Sequence, residues 1–151
     1  AATEFGSDKW LTLKNKDVWQ NWWGSVITGL TVKAGMFDNS PLLNYLQSII
    51  DTFETTAYQR DFVITSLNAN DGQTIRFDQT NISIDNVAKA AFSSASIPTI
   101  FPPYVWEGYG VMIDGSSGGM NVNLEDAITA CKEKVGGDES KIIVDALLAG
   151  G

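Results

Sequence analysis

The stretch 111–121, VMIDGSSGGMN, places two chemically capable residues three positions apart. Gly115, Ser117 and Gly119 fit the pattern G-x-S-x-G, in which a serine nucleophile sits on a sharp turn between a strand and a helix. The helix has to begin at once, so that its free N–H groups and positive end face the developing oxyanion. Here the next helix is predicted to start near Asn123, six residues past Ser117. The chain also has no histidine. Ser117 therefore has no imidazole to take its proton, and Ser-His-Asp and Cys-His arrangements are excluded within these residues. Ser117 reads as part of a glycine-rich turn. Asp114 has two readings. A carboxylate at a strand end, followed by Gly115, can lean into a cleft with the backbone passing close by. Asp-Gly is also an ordinary way to end a strand, and spacing alone does not separate the two.

The other reactive residue types offer less. Cys131 is the single cysteine, so no disulfide forms within the chain; in a predicted helix it reads as a packing residue. One cysteine with carboxylates alone is a poor zinc set, and neither a metal nor a cofactor is expected. Glu125 and Asp126 read as first-turn charges at a helix start. The sequon Asn81-Ile82-Ser83 is an acceptor only in a secretory protein. Ten basic against 18 acidic residues give a net charge of −8 without a Lys/Arg run, so nucleic acid is not an expected partner. No apolar run reaches the ~18 residues of a membrane span, and the residues do not identify a compartment.

The elements that must position Asp114 follow from periodicity. From Asp17 onward Trp19, Trp22, Trp23, Val26, Ile27 and Leu30 fall on one helical stripe. It packs against another part of the protein or forms a lid or entry surface for an apolar ligand, since indole suits a wet–greasy boundary. Ser40-Pro41 opens a second helix, with Leu42, Leu43, Leu46, Ile49 and Ile50 as its buried stripe. The run 62–67, FVITSL, reads as a strand buried on both faces. NANDG turns the chain into a half-exposed strand at 74–77. Ser83 caps a helix that ends before Pro98, and IPTIFPP is a stiff connector. Residues 109–113 form a strand ending at Asp114. Asn123 caps a helix with Asp126 three residues on. Residues 142–144 suggest a last strand. Strands alternating with helices indicate a layered α/β sheet, in which ligands sit at strand carboxyl ends.

The segment AKAAFSSASIPTIFPPYVWEGYGVMIDGSSGGMNVNLEDAITAC resembles the C-terminal half of the patatin-like phospholipase family. Its small-residue helix, Ala-Ser-x-x-x-Pro type end, Phe-Pro-Pro type connector, strand ending in Asp-Gly, and following Asn and helix map onto Ala95, Ser96, Pro98, Phe101, Pro102, Pro103, Asp114, Gly115 and Asn121 or Asn123. SPLLNYL at 40–46 and FVITSLNANDGQTIRF at 62–77 are similar in order and spacing. The resemblance covers roughly residues 40–151. Ser116 departs from it, standing where the family has Gly or Ala.

The resemblance implies a partial three-layer α/β/α sheet. It divides the chain into a Trp-rich, lid-like helical segment, 1–39, and the C-terminal part of one patatin-like domain, 40–151. It implies a lipid acyl hydrolase of phospholipase A type using a serine–aspartate dyad, with Asp114 as proton acceptor; Gly115 is then expected beside the substrate, and the helix of Trp19, Trp22 and Trp23, read from its own residues, to cover the cleft or touch the lipid surface. The family's nucleophile elbow and glycine-rich oxyanion loop lie N-terminal to the matched region and are absent from these residues. The expectation is therefore a parent serine esterase whose nucleophile comes from an N-terminal half or partner polypeptide. The partners expected are an acyl-ester lipid and a membrane surface touched peripherally, and this chain alone should be inactive. The alternative is a non-catalytic structural, storage or assembly subunit of the same family.

Overall fold

The computed structural model describes residues 8–9, 11–52, 58, 60–119 and 123–146. It is a mixed α/β structure. The described α-helices are α1 (Asn15–Val18), α2 (Ser25–Thr28), α3 (Ser40–Thr52), α4 (Ile84–Ser94) and α5 (Leu124–Lys134). The strands are β1 (Val63–Asn68), β2 (Thr74–Asp78), β3 (Tyr104–Trp106) and β4 (Gly110–Asp114). They form one antiparallel sheet in the order β2-β1-β4-β3.

Register divides the sheet into two faces, because residues paired across antiparallel strands point the same way. Ile64 pairs with Phe77, Ser66 with Ile75 and Asp114, and Asn68 with Met112; Tyr104 pairs with Met112. This face carries the core of Phe77, Ile82, Ala90, Trp106 and Met112, and α4 packs on it against β1 and β4. The buried Ala88, Ala90 and Ser93 of α4 are small, which lets the helix come close to the sheet. Helix α3 packs on α4, and α1 on α3. Val63, Arg76 and Asp78 lie on the opposite face, where ion pairs from Arg76 to Asp126 and from Lys134 to Asp61 hold α5. Val105, also on that face, is 73% exposed. Helices thus flank both faces of the sheet, one closely and one loosely.

Several local expectations hold for local reasons. Helix α3 begins at Ser40-Pro41, with Asp38 Oδ1 accepting the Ser40 N–H at 2.9 Å. In the β1–β2 turn, Gly72 takes φ +73° and Asn68 N–H donates to Gln73 O at 2.8 Å. Asn123 Oδ1 accepts the Asp126 N–H at 3.3 Å at the start of α5. Ser83 occupies the N-cap of α4, although its hydroxyl makes no capping bond.

Others are corrected. The tryptophan stripe is not one helix. Gly24 and Ser25 adopt positive φ, +88° and +65°, a conformation that interrupts a right-handed helix. Gln20 instead bridges to Asp38 through two backbone bonds of 2.9 and 3.0 Å. The apolar stripe of α3 is half-buried, with no fully buried residue. The run 62–67 becomes a central strand, yet of its residues only Ser66 is fully buried, because the face bearing Val63 and Thr65 is loosely covered. Residues 142–144 form no strand: Ile143 is 88% exposed and no strand edge is paired with it. Conversely, β3 (Tyr104–Trp106) emerges directly from the connector, which the sequence pattern marks only as stiff. Residues 147–151 and Asn121 lie outside the described residues.

Candidate active site

Asp114 closes β4, and its backbone is fixed on three sides. Its N–H donates to Ser96 O at 2.9 Å. Its Cα partner across the sheet is Ser66. Gly115, which follows it, is buried against Thr65: a Cβ there would lie 2.4 Å from Thr65 O. A side chain at 115 would push β4 off β1, so glycine is required by the close approach of two backbones.

The carboxylate itself is half-buried. Oδ1 accepts the Ser116 N–H at 2.7 Å and the Ser116 hydroxyl at 2.5 Å. Oδ2 accepts no hydrogen bond among the described residues. The Asp-x-Ser contact is a local turn device. Asp78 with Thr80, and Asp138 with Ser140, repeat it with oxygen–oxygen distances of 2.5 and 2.6 Å. It therefore does not mark Ser116 as a nucleophile. Ser117 lies on the exposed side of a 3-10 turn, Gly115–Gly118, that starts directly after Asp114. An α-helix begins only at Leu124. A turn thus follows the strand sooner than expected, but one 3-10 turn supplies little of the dipole that an elbow uses.

Asp114 opens into a cleft of about 480 Å³ lined by Val63, Ile64, Thr65, Ser94, Ile97, Gly115, Ser116 and Asn123. Three serines lie beneath it, of which the sequence singled out Ser96 alone, as part of the Ala-Ser-x-x-x-Pro type end. Ser66, Ser93 and Ser96 are each 0% exposed. The Ser93 hydroxyl donates to Ala90 O at 2.9 Å, so its single proton is committed and Ser66 is the donor in their 2.7 Å contact. Ser96 donates to Phe92 O at 3.0 Å. The Ser66–Ser93 bond ties the end of α4 to β1 at the residue paired with Asp114. For Ser66 and Ser93 the only sequence signal was a small polar residue interrupting apolar periodicity.

Trp19, Trp22 and Trp23 do not line this cleft, and each has different surroundings. Trp19 packs on Phe37 with ring centroids 4.5 Å apart. Trp22 donates its Nε1–H to Gly35 O at 3.0 Å and lies under Lys33 Nζ, 5.5 Å from the ring centroid. Trp23 is 96% exposed, and Ile27, Leu30 and Val32 are exposed on the same segment. That segment is bonded to the connector: Met36 N–H donates to Thr99 O at 2.9 Å and Phe37 N–H to Ile100 O at 3.0 Å. Among the described residues no cluster of three or more Cys, Asp or Glu is arranged to hold a metal ion. No described helix is long and apolar enough to cross a membrane.

Comparison with known proteins adds one match. A family model described as patatin-like phospholipase matches residues 3–128, a span that includes the tryptophan segment, the whole sheet and Asp114. No curated protein matches the chain.

Proposed function

The chain belongs to the patatin-like phospholipase family, and from that premise we propose that it supplies Asp114 as the base of a serine–aspartate dyad hydrolysing acyl esters of lipids. The observation that carries this reading is Asp114 at a strand end, its Oδ2 without a hydrogen bond among the described residues, lining a cleft large enough for an ester group. The serine comes from outside these 151 residues, as do the oxyanion donors. Its hydroxyl proton passes to Asp114 as oxygen attacks the ester carbonyl. The proton then goes to the departing alcohol, leaving an acyl-serine. Water repeats the cycle in reverse and releases the fatty acid. Ser66, Ser93 and Ser96 hold the strand end, and Ser116 holds one carboxylate oxygen so that the other faces the cleft. Trp23, Ile27, Leu30 and Val32 form the face that rests on a lipid surface, where an indole at the boundary is favourable.

The test is Asp114→Asn in a protein that includes the serine-bearing segment. Asparagine keeps an oxygen for the Ser116 N–H, so the fold should be retained. Ester hydrolysis should fall by about 10⁴-fold, as when the carboxylate of a catalytic triad is lost. Undiminished hydrolysis would sink the dyad. A non-catalytic structural role is the second reading. It is favoured by Oδ1 being bound in the same way as the turn carboxylates of Asp78 and Asp138. Labelling of the native material by a serine-directed fluorophosphonate, abolished in neither variant nor wild type by fold loss, separates the two: no labelling supports the structural role.

A further inference from the structure

Asn123 lines the Asp114 cleft together with Gly115 and Ser116, and it is the residue from which α5 starts. Its carboxamide is held at both ends by Asp126. Oδ1 accepts the Asp126 N–H at 3.3 Å, and Nδ2 donates to Asp126 Oδ2 at 2.5 Å. The other Asp126 oxygen, Oδ1, accepts from Arg76 Nη1 at 2.8 Å, and Arg76 Nε lies 3.8 Å from Asp78 on the same strand. An unbroken chain of polar contacts thus runs from the edge strand β2 to the wall of the cleft. Arg76 also lines a charged groove of about 700 Å³ between the sheet and α5. No fully buried side chain anchors α5 there, so the aim of the Asn123 carboxamide depends on the ion pair. An amide nitrogen carries two hydrogens. One goes to Asp126, and the other has no acceptor among the described residues. The hydroxyls of Thr65 and Ser94, which also line the cleft, can rotate their hydrogens. The Asn123 donor has a set direction, and a donor fixed beforehand acts without reorganisation.

We propose that Asn123 donates this hydrogen to the alcohol-side oxygen of the ester in the Asp114 cleft, and that Arg76 is the positioning residue that aims it through Asp126. The assignment rests on the ester-hydrolase reading of that cleft and deepens it by naming a group that acts on the leaving oxygen. Charge grows on that oxygen as the acyl–oxygen bond breaks and Asp114 returns its proton to it. The hydrogen bond is therefore stronger in the transition state than with bound ester, and its loss lowers kcat more than it raises KM.

Kinetics use a protein that includes the serine-bearing segment. Asn123→Ser keeps an N-cap oxygen for α5 and removes the donor. Its kcat should fall by about 10²-fold, the lower end of what removing one preorganised donor costs, with little change in KM. The Arg76–Asp126 pair is partly exposed, 41% and 24%, and contributes little to stability, so Arg76→Gln should fold. It should lower kcat by about tenfold through misplacement of the donor, and Arg76→Lys, which keeps the cation, should restore most of that loss. In the Asn123→Ser background Arg76→Gln should have no further effect, because both act through one hydrogen bond. A loss as large in that background as in the unsubstituted protein overturns the proposal, since Arg76 would then only hold α5. So does an unchanged kcat in either single variant. The 151-residue chain supplies a reading that needs no turnover. It is titrated with dihexanoylphosphatidylcholine below its micelle concentration, and the side-chain amide signals of Asn123 and Asn86 are followed by NMR. Those of Asn123 should shift saturably, and those of Asn86, on α4 and outside the cleft, should not. Static Asn123 signals overturn the proposal, and decide the matter if a variant fails to fold or no hydrolysis is found. Asp114→Asn should leave the shift in place, so failure of the dyad and failure of the Asn123 contact are read separately.

Discussion

Gly115 offers a quantitative test of how Asp114 is held. In Gly115→Ala the new Cβ would stand 2.4 Å from Thr65 O and 2.9 Å from both Thr65 C and Thr65 Oγ1. An unstrained contact needs about 3.4 Å, so β1 and the turn after β4 must part by about 1 Å against backbone atoms that cannot rotate away. Overpacking of this kind costs about 1–3 kcal/mol. At about 2–4 °C per kcal/mol for a chain of this size, Tm should fall by roughly 2–12 °C. The displacement is transmitted to the adjacent carboxylate, and a misplacement of about 1 Å costs on the order of 10²-fold in rate. Gly118→Ala is the internal control. Its Cβ meets only Leu67 Cδ1 and Thr74 Oγ1, each at 3.4 Å. With no positive φ at 118, alanine should be neutral or stabilise by about 0.4–1 kcal/mol through the unfolded state. Differential scanning calorimetry of the two variants reads the difference directly. Equal Tm values for Gly115→Ala and Gly118→Ala would refute the claim that backbone approach at Thr65 fixes the Asp114 turn.

The remaining predictions concern charge and surface. Trp23→Ala should change stability by less than about 0.5 kcal/mol, because the side chain is 96% exposed; sedimentation with phosphatidylcholine vesicles should fall severalfold, and unchanged sedimentation removes the segment from any lipid contact. The Thr80 hydroxyl, with smaller help from the Thr80 N–H and Arg76 and against partial desolvation, holds the Asp78 carboxyl below its ordinary value. A depressed carboxylate stabilises the fold above its unfolded pKa, and that contribution is lost as pH falls through the folded value. Thr80→Val should therefore raise the Asp78 pKa, seen by carboxyl-carbon NMR, and move acid unfolding to higher pH. An acid transition that stays in place or moves lower contradicts the assignment.

The geometry of the candidate site was legible in the sequence to the extent that it is local. Asp114 at the end of an apolar strand, the Asn68–Gly72 turn, the Ser40-Pro41 start and the Asn123 cap each depend on neighbours within a few residues. The absence of histidine excluded a triad by composition alone. Helical spacing of the tryptophans was real as a pattern yet failed as a structure. The pairing of Gln20 with Asp38 and the reach of Trp22 to Gly35 O are contacts across 18 and 13 residues, and they compete with helix for the same backbone groups. Gly29 and Gly35 permit that crossing, since a Cβ at Gly29 would lie 2.3 Å from Gly35 O.

Residues 142–144 teach the same lesson from the other side. β-Branched residues favour a strand only where an edge with open hydrogen-bonding groups receives them, and Ile143 meets none. The pairing of β1 with β4, the Ser66–Ser93 bond beneath Asp114 and the groove under α5 join segments 27 or more residues apart. Periodicity, capping and turn chemistry report short-range preferences of the backbone. Which strand becomes a neighbour, which face is covered and which crevice remains open are settled by packing between distant segments, and only the folded chain expresses that.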